Sequence, residues 1–174
     1  MQDQPTPPTP YPVDCYIITA SDTRTLASDT SGQWIESQLK AQGHQVADRV
    51  ILREDKDALL NALDTQLSLK REVIIFTGGT GITKRDISPD IVALRGTKEI
   101  VGFGELFRFL SFAQIGSSTI QSRACAWLCQ ESIVFVLPGS LNAVQLAMNE
   151  IILPQLDIRT KPCNFPQLFP RIRS

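Results

Sequence analysis

Val73-Ile74-Ile75-Phe76-Thr77-Gly78-Gly79-Thr80-Gly81 is the run that decides the architecture. Four consecutive apolar residues, three of them β-branched, read as a strand buried on both faces, and such a strand needs helices above and below its sheet. It runs into three glycines within four residues, which let the backbone turn with positive φ and leave its amides bare. The pattern repeats on both sides. Upstream, residues 15–19 and 45–52 read as strands. Between them a helix capped by Thr30 or Ser31 carries Trp34, Ile35 and Leu39 on one face and stops at Gly43. Residues 55–69 read as a second helix, on the recurrence of Leu59, Leu60, Leu63 and Leu67. Downstream, Ser88-Pro89-Asp90 is a helix start, residues 104–115 are helical, 117–122 extended, and 133–137 a buried strand. That strand ends at Pro138-Gly139, and the helix from Ser140 has the stripe Leu141, Val144, Met148, Ile151 and Ile152. Strands alternating with helices predict an α/β fold: a three-layer α/β/α sandwich with a mostly parallel central sheet.

The chain has 174 residues, 43% of them hydrophobic, enough for one well-buried core. A formal net charge of -1 argues against a protein that coats nucleic acid or an acidic membrane. Mean hydropathy is -0.02 and no apolar run has the length of a membrane span, so the expected location is cytoplasmic. Five prolines within residues 1–12 predict a disordered arm outside the core. Residues 13–157 form the domain and 158–174 an extended tail. Phe165, Leu168 and Phe169 of that tail are expected to need a neighbouring subunit or a groove. Cys15, Cys125, Cys129 and Cys163 lack the paired spacing of a zinc site, although Cys125 and Cys129 could share a helix face. His44, the one histidine, reads as a surface residue, which leaves histidine-dependent nucleophilic triads without a base.

In open parallel sheets ligands bind beyond the carboxyl ends of the strands. Three loops leave strand ends here: Ser21-Asp22-Thr23-Arg24, Thr77 to Asp90, and Pro138-Gly139-Ser140. The middle one fits neither a Walker A loop nor G-x-G-x-x-G, yet successive bare amides with two threonine hydroxyls form an anion nest. Lys84 and Arg85 add cations suited to phosphate, and Asp86 and Asp90 add carboxylates suited to a hydrated magnesium ion bridging it. Asp90 also serves the helix start; Asp86 has no such structural duty and is the stronger candidate.

Thr77-Gly78-Gly79-Thr80-Gly81 followed by Arg85-Asp86 and Pro89-Asp90 resembles the signature of the molybdopterin-binding, MoaB/Mog-type family. Gly102-Phe103-Gly104-Glu105-Leu106-Phe107-Arg108, Ser122-Arg123-Ala124 and Pro138-Gly139-Ser140 match further family blocks in order. The likeness runs over residues 13–165, and the tail resembles the protein B branch. It implies trimers or, in that branch, hexamers. It also implies molybdopterin as ligand and, in active members, adenylyl transfer from magnesium-bound ATP to the molybdopterin phosphate. Carried over by position, Thr77, Gly78, Gly79, Thr80 and Gly81 would cradle phosphate, and Asp86 would hold magnesium. Ser21, Asp22, Asp90, Glu105, Ser122, Arg123, Pro138, Gly139 and Ser140 would line the same cleft. The family's second acid falls at Glu54 or Asp55, where aspartate is usual and Glu54 aligns best. The resemblance therefore leaves two functions open: an adenylyltransferase, or a non-catalytic pterin- or nucleotide-binding protein of the same pathway.

Overall fold

A computed structural model describes residues 9–174, so residues 1–8 of the expected arm lie outside the described part. The strands are β1 (Asp14–Ala20), β2 (Gln45–Leu52), β3 (Val73–Thr77), β4 (Lys98–Glu99), β5 (Cys125–Cys129) and β6 (Ser132–Leu137). The helices are α1 (Thr30–Ala41), α2 (Lys56–Ser68), α3 (Ser88–Ala93), α4 (Val101–Ile115), α5 (Leu141–Ala147), α6 (Leu153–Leu156) and α7 (Phe165–Ile172). One six-stranded sheet has the order β2-β1-β3-β6-β5-β4. The first four in that order are parallel, while at one edge β5 pairs antiparallel with β6 and β4 antiparallel with β5, so that β5 alone is reversed.

Because side chains alternate across a strand, each central strand feeds two cores. Cys15 and Ile17 face a cluster with Ile35 and Leu39 of α1, Phe103 and Phe107 of α4, Val144 of α5 and Phe169 of α7. Tyr16, Ile18 and Phe76 face Leu59, Leu63 and Leu67 of α2 and Ile91 and Val92 of α3. The result is the expected three-layer α/β/α arrangement.

Several local expectations are corrected. Asp29, not Thr30 or Ser31, caps α1. Its fully buried carboxylate accepts from the Gly32 amide (3.0 Å), the Thr19 hydroxyl (2.8 Å) and Arg49 (2.9 Å), so one acid ties β1, β2 and α1 together. Residues 116–121 form a 3-10 turn, not an extended segment, opened by Gly116 at φ 58°. Cys125 and Cys129 lie on a strand, not on a helix face. Met148–Ile152 widens to a π-helix directly ahead of Pro154, which has no N–H to continue the α pattern.

The tail is not extended. Asn164 caps α7 by accepting from the Gln167 amide (3.1 Å), and Pro166 sits in the first turn, where a missing N–H is tolerated. Phe169 is fully buried and Phe165 packs edge-on against Phe135 at 5.9 Å, so this domain covers the tail's aromatics itself. Tyr11, assigned to the arm, packs against Phe169 and donates to Glu72, which also receives Arg173. The folded unit therefore begins at least at Tyr11. His44 is buried rather than on the surface: its Nδ1 accepts from the Val13 amide (3.3 Å), and burial pushes its pKa below the usual range, keeping the ring neutral. No helix among the described residues is long and apolar enough to cross a membrane.

Candidate functional site

The carboxyl ends of β1, β3 and β6 lie side by side, and the three loops that leave them converge. Gly78, at φ 97°, donates its amide to the Leu137 carbonyl (2.9 Å), which locks the glycine loop to the end of β6. A Cβ on Gly78 would stand 2.3 Å from the Ala20 carbonyl oxygen, and one on Gly79 would stand 2.6 Å from Ser88 Oγ. Only glycine fits either place, so the loop presents bare backbone. Ser88 Oγ is the one buried side-chain oxygen or nitrogen without a hydrogen-bond partner among the described residues.

A polar cleft of about 420 Å³ lies over this loop. Its walls bring together Ser21, Glu54, Thr77, Gly78, Gly79, Thr80, Gly81, Asp86, Gly139 and Ser140. Thr19 and Arg24 line it as well; Arg24 ends the first of the three loops read from sequence, where it was given no site role. A second lobe of about 400 Å³ adjoins the first through Thr80, Gly81 and Ser140. It takes in Ser122 and Pro138, together with Phe107, Ser111, Gln114, Ile115, Thr119, Gln121, Asn142 and Ala143, which sequence reasoning missed. Phe107, Ser111 and Gln114 stand at helical spacing on α4, so periodicity marks their common face without saying what it faces.

The acids divide by environment. Asp86 accepts from the Thr83 hydroxyl (2.6 Å) and the Thr83 amide (2.9 Å). The Thr83 hydroxyl, helped by backbone amides and the nearby Arg123 charge, holds its carboxyl below the usual aspartate range. Glu54 is pushed the other way, first by burial and then by the Asp86 charge facing it. Two carboxylates with opposed shifts therefore share one cleft. Asp55 is turned away from it and caps α2, accepting from the Ala58 amide at 2.9 Å.

The remaining sequence candidates stand outside the two lobes. Asp22 accepts from the Glu54 amide (3.3 Å) and pairs with Arg85. Asp90 and Arg123 are engaged with each other. Glu105 is exposed on α4.

Bare backbone at strand ends, two acids and an adjoining, mostly apolar lobe make a candidate small-molecule site in an α/β domain. The family described as "Probable molybdopterin binding domain" matches residues 16–158, and the chain belongs to that family. More particularly, it is 40% identical over 155 residues to the Molybdenum cofactor biosynthesis protein B of Escherichia coli K12, spanning 88% of this chain and 91% of that one. It is 46% identical over 149 residues to the protein of the same name from Bacillus cereus, spanning 84% and 88%. A crystal structure of a Molybdenum cofactor biosynthesis protein B superposes with a TM-score of 0.84 at 41% identity, covering 95% of this chain and 98% of that one.

Proposed function

We propose that this chain acts in molybdenum cofactor biosynthesis by binding molybdopterin and transferring AMP to its terminal phosphate from magnesium-bound ATP. The observation that carries the reading is the two-lobed cleft joined by one glycine loop. The lobe beside α4 offers Phe107, Ile115 and Pro138 as apolar walls and Gln114, Gln121 and Asn142 as amide donors and acceptors. A flat heterocycle with a hydrogen-bonding edge, such as a pterin, suits that mixture. The lobe over Gly78 to Gly81 suits phosphate through the Gly79 and Thr80 amides, which no side chain separates from an anion; the Gly78 amide is held by Leu137 and that of Gly81 by Asp86.

A molybdopterin phosphate oxygen bonding to the α-phosphorus of ATP would release pyrophosphate and leave AMP attached. Glu54 and Asp86 fit a magnesium ion shared with those phosphates. No cluster of three acids, histidines or cysteines exists among the described residues to cage a metal by protein alone, and magnesium commonly binds one or two carboxylates plus phosphate. Bound there, the ion would supply charge stabilisation to the departing pyrophosphate. The chain's own part is to align the two phosphates over the loop and to hold the Asp86 carboxylate at the cleft.

One feature favours binding without turnover. With Asp55 committed to its cap, the second acid at the cleft is Glu54, about one bond longer than the family's usual aspartate. Incubating the pure protein with molybdopterin and Mg-ATP separates the readings. Pyrophosphate release supports the transferase; molybdopterin binding without release supports the binding protein.

We also propose a trimer-based assembly, built as a hexamer. The subunit number is the one that the family resemblance implies; the tail no longer argues for association, but α4 and the turn after it do. Phe109 is 76% exposed and Ile120 80%, with Phe112 and Ile115 beside them, while the opposite face of α4 is already in the core. A helix apolar on both sides is normally buried on both. Light scattering at micromolar concentration is expected to give a mass well above the monomer's 19.3 kDa, and a monomer would overturn the proposal.

A further inference from the structure

Arg123 lies between the 3-10 turn and β5, and it lines neither lobe of the cleft. Its contacts are instead with the walls. The backbone N–H donates to the Thr80 carbonyl (2.9 Å) and Nε to the Gly81 carbonyl (2.8 Å). Both terminal nitrogens donate to the Asp90 carboxylate at 3.0 Å, and one also donates to the Asp86 carbonyl. One planar guanidinium thus joins the glycine loop, the residue bearing the cleft's ionised acid, and the first turn of α3.

Apart from the ion pair of Arg85 with Asp22, the segment between those points has little else to hold it. Ile82, Thr83, Lys84 and Arg85 are exposed, and the Asp86 carboxylate bonds locally, to Thr83 and Gly81. Such a turn is well formed in itself, and its bonds to the rest of the domain are those of Arg85 with Asp22 and of Arg123 with its two ends. Carbonyl acceptors at both ends, Gly81 and Asp86, are fixed by the same side chain.

We infer that Arg123 is a positioning residue which sets the aim of the Asp86 carboxylate into the cleft, with Asp90 as its counter-ion, and that neither touches the ligand. The role assigned to the site rests on the reading above; the geometry of the turn does not. A planar fork can serve two carbonyls and a carboxylate together, whereas lysine offers one point charge. Displacing a reacting group by about 1 Å costs around a hundredfold in rate. Asp90 keeps the guanidinium in register and neutralises it.

The test uses the full chain with Arg123→Gln, Arg123→Lys, Asp90→Asn and the Arg123→Gln/Asp90→Asn pair. The first readout needs no ligand: hydrogen exchange at the Thr83 and Asp86 amides, both hydrogen-bonded within the turn. Exchange is expected to speed up about tenfold or more in Arg123→Gln, with β3 amides unchanged. Unchanged exchange in the turn overturns the inference, and so does equal acceleration in β3, which would mean general destabilisation.

The second readout is adenylyl transfer. Arg123→Gln is expected to lower kcat about a hundredfold with KM for molybdopterin within about threefold, and Arg123→Lys to recover little of it. Asp90→Asn should act in the same direction, and the pair should be no worse than the poorer single variant. A tenfold rise in KM at constant kcat, or tighter molybdopterin binding in Asp90→Asn, would make Arg123 a ligand contact and overturn the inference. If the wild type releases no pyrophosphate, the transferase reading fails while the exchange result still decides the role of Arg123 in the turn.

Discussion

Asp86→Asn is expected to slow adenylyl transfer by a few hundredfold while molybdopterin affinity changes by less than about tenfold. The Asp86 carboxylate is ionised at neutral pH, and the Thr83 hydrogen bonds lower its pKa further by favouring the charged form. Asparagine can keep one oxygen toward Thr83, so the turn survives in outline. It loses the formal charge, and its NH2 faces the backbone donor at Gly81 that the carboxylate had satisfied. Removing one well-placed electrostatic stabiliser costs about 3 to 4 kcal/mol of transition-state energy, hence the rate loss. Ground-state binding depends on the Gly79 and Thr80 amides and the amide-lined lobe, so it changes little. Glu54 should respond too. Its carboxyl is raised partly by the Asp86 charge, so in the variant it would ionise at a lower pH than in the wild type. Pyrophosphate release and a molybdopterin titration on the same preparation check the two halves. Equal turnover in variant and wild type would remove Asp86 from the mechanism.

Gly78→Ala is expected to cost about 3 to 5 kcal/mol of stability, lowering the thermal midpoint by roughly 10 °C. Two penalties coincide there. The backbone at φ 97° is one that residues with a Cβ rarely adopt, and the added carbon would sit 2.3 Å from the Ala20 carbonyl oxygen. Neither partner can retreat, since β1 and β3 are paired through Thr19 and Thr77 and the Gly78 amide is bound to Leu137. Gly43→Ala is the control. Its φ is 85° but nothing lies within 4 Å of the new carbon, so only the conformational cost of about 1 to 2 kcal/mol remains. Thermal and urea unfolding of both variants measure the difference, and equal losses would show that the Ala20 contact carries no weight.

The fold was legible wherever pattern and length agreed. Val73 to Phe76 could only be a strand covered on both faces, and the leucine recurrence of α2 could only be a helix. Errors fell where local chemistry was ambiguous. Asp29, Thr30 and Ser31 are all competent caps, and tertiary contacts to Thr19 and Arg49 chose the first. Thr119 and Ile120 read as strand formers, but no neighbouring strand is available to pair them after Gly116 turns the chain. The prolines of the tail suggested extension, yet two of them lie within α7, one of them in its first turn.

The site divides in the same way. Its main-chain part, the glycine loop, is local in sequence and was readable. So was Asp86, which lies in the same loop. The lobe beside α4 joins residues from four separate segments, and no local pattern could announce it. Glu105 illustrates the converse: it belongs to a matching block but sits on the wrong side of its helix to reach either lobe.

The buried Asp29 has a bearing on how this scaffold can change. The segment after β1 leaves the sheet at Ser21, whose amide is tied to the Leu52 carbonyl (2.8 Å), and returns at Asp29, bound to Thr19 and Arg49. Both ends are pinned to the sheet, and the stretch between them is exposed except for Arg24, which is partly covered. An excursion anchored at its feet can vary in length and composition without disturbing the core. Ser21 and Arg24 border the cleft, so grafting different residues over 22–28 would remodel one wall of the ligand site while leaving the sheet untouched. Asp29 is in that sense an insulating joint, separating what the domain needs in order to fold from what it can alter in order to bind something else.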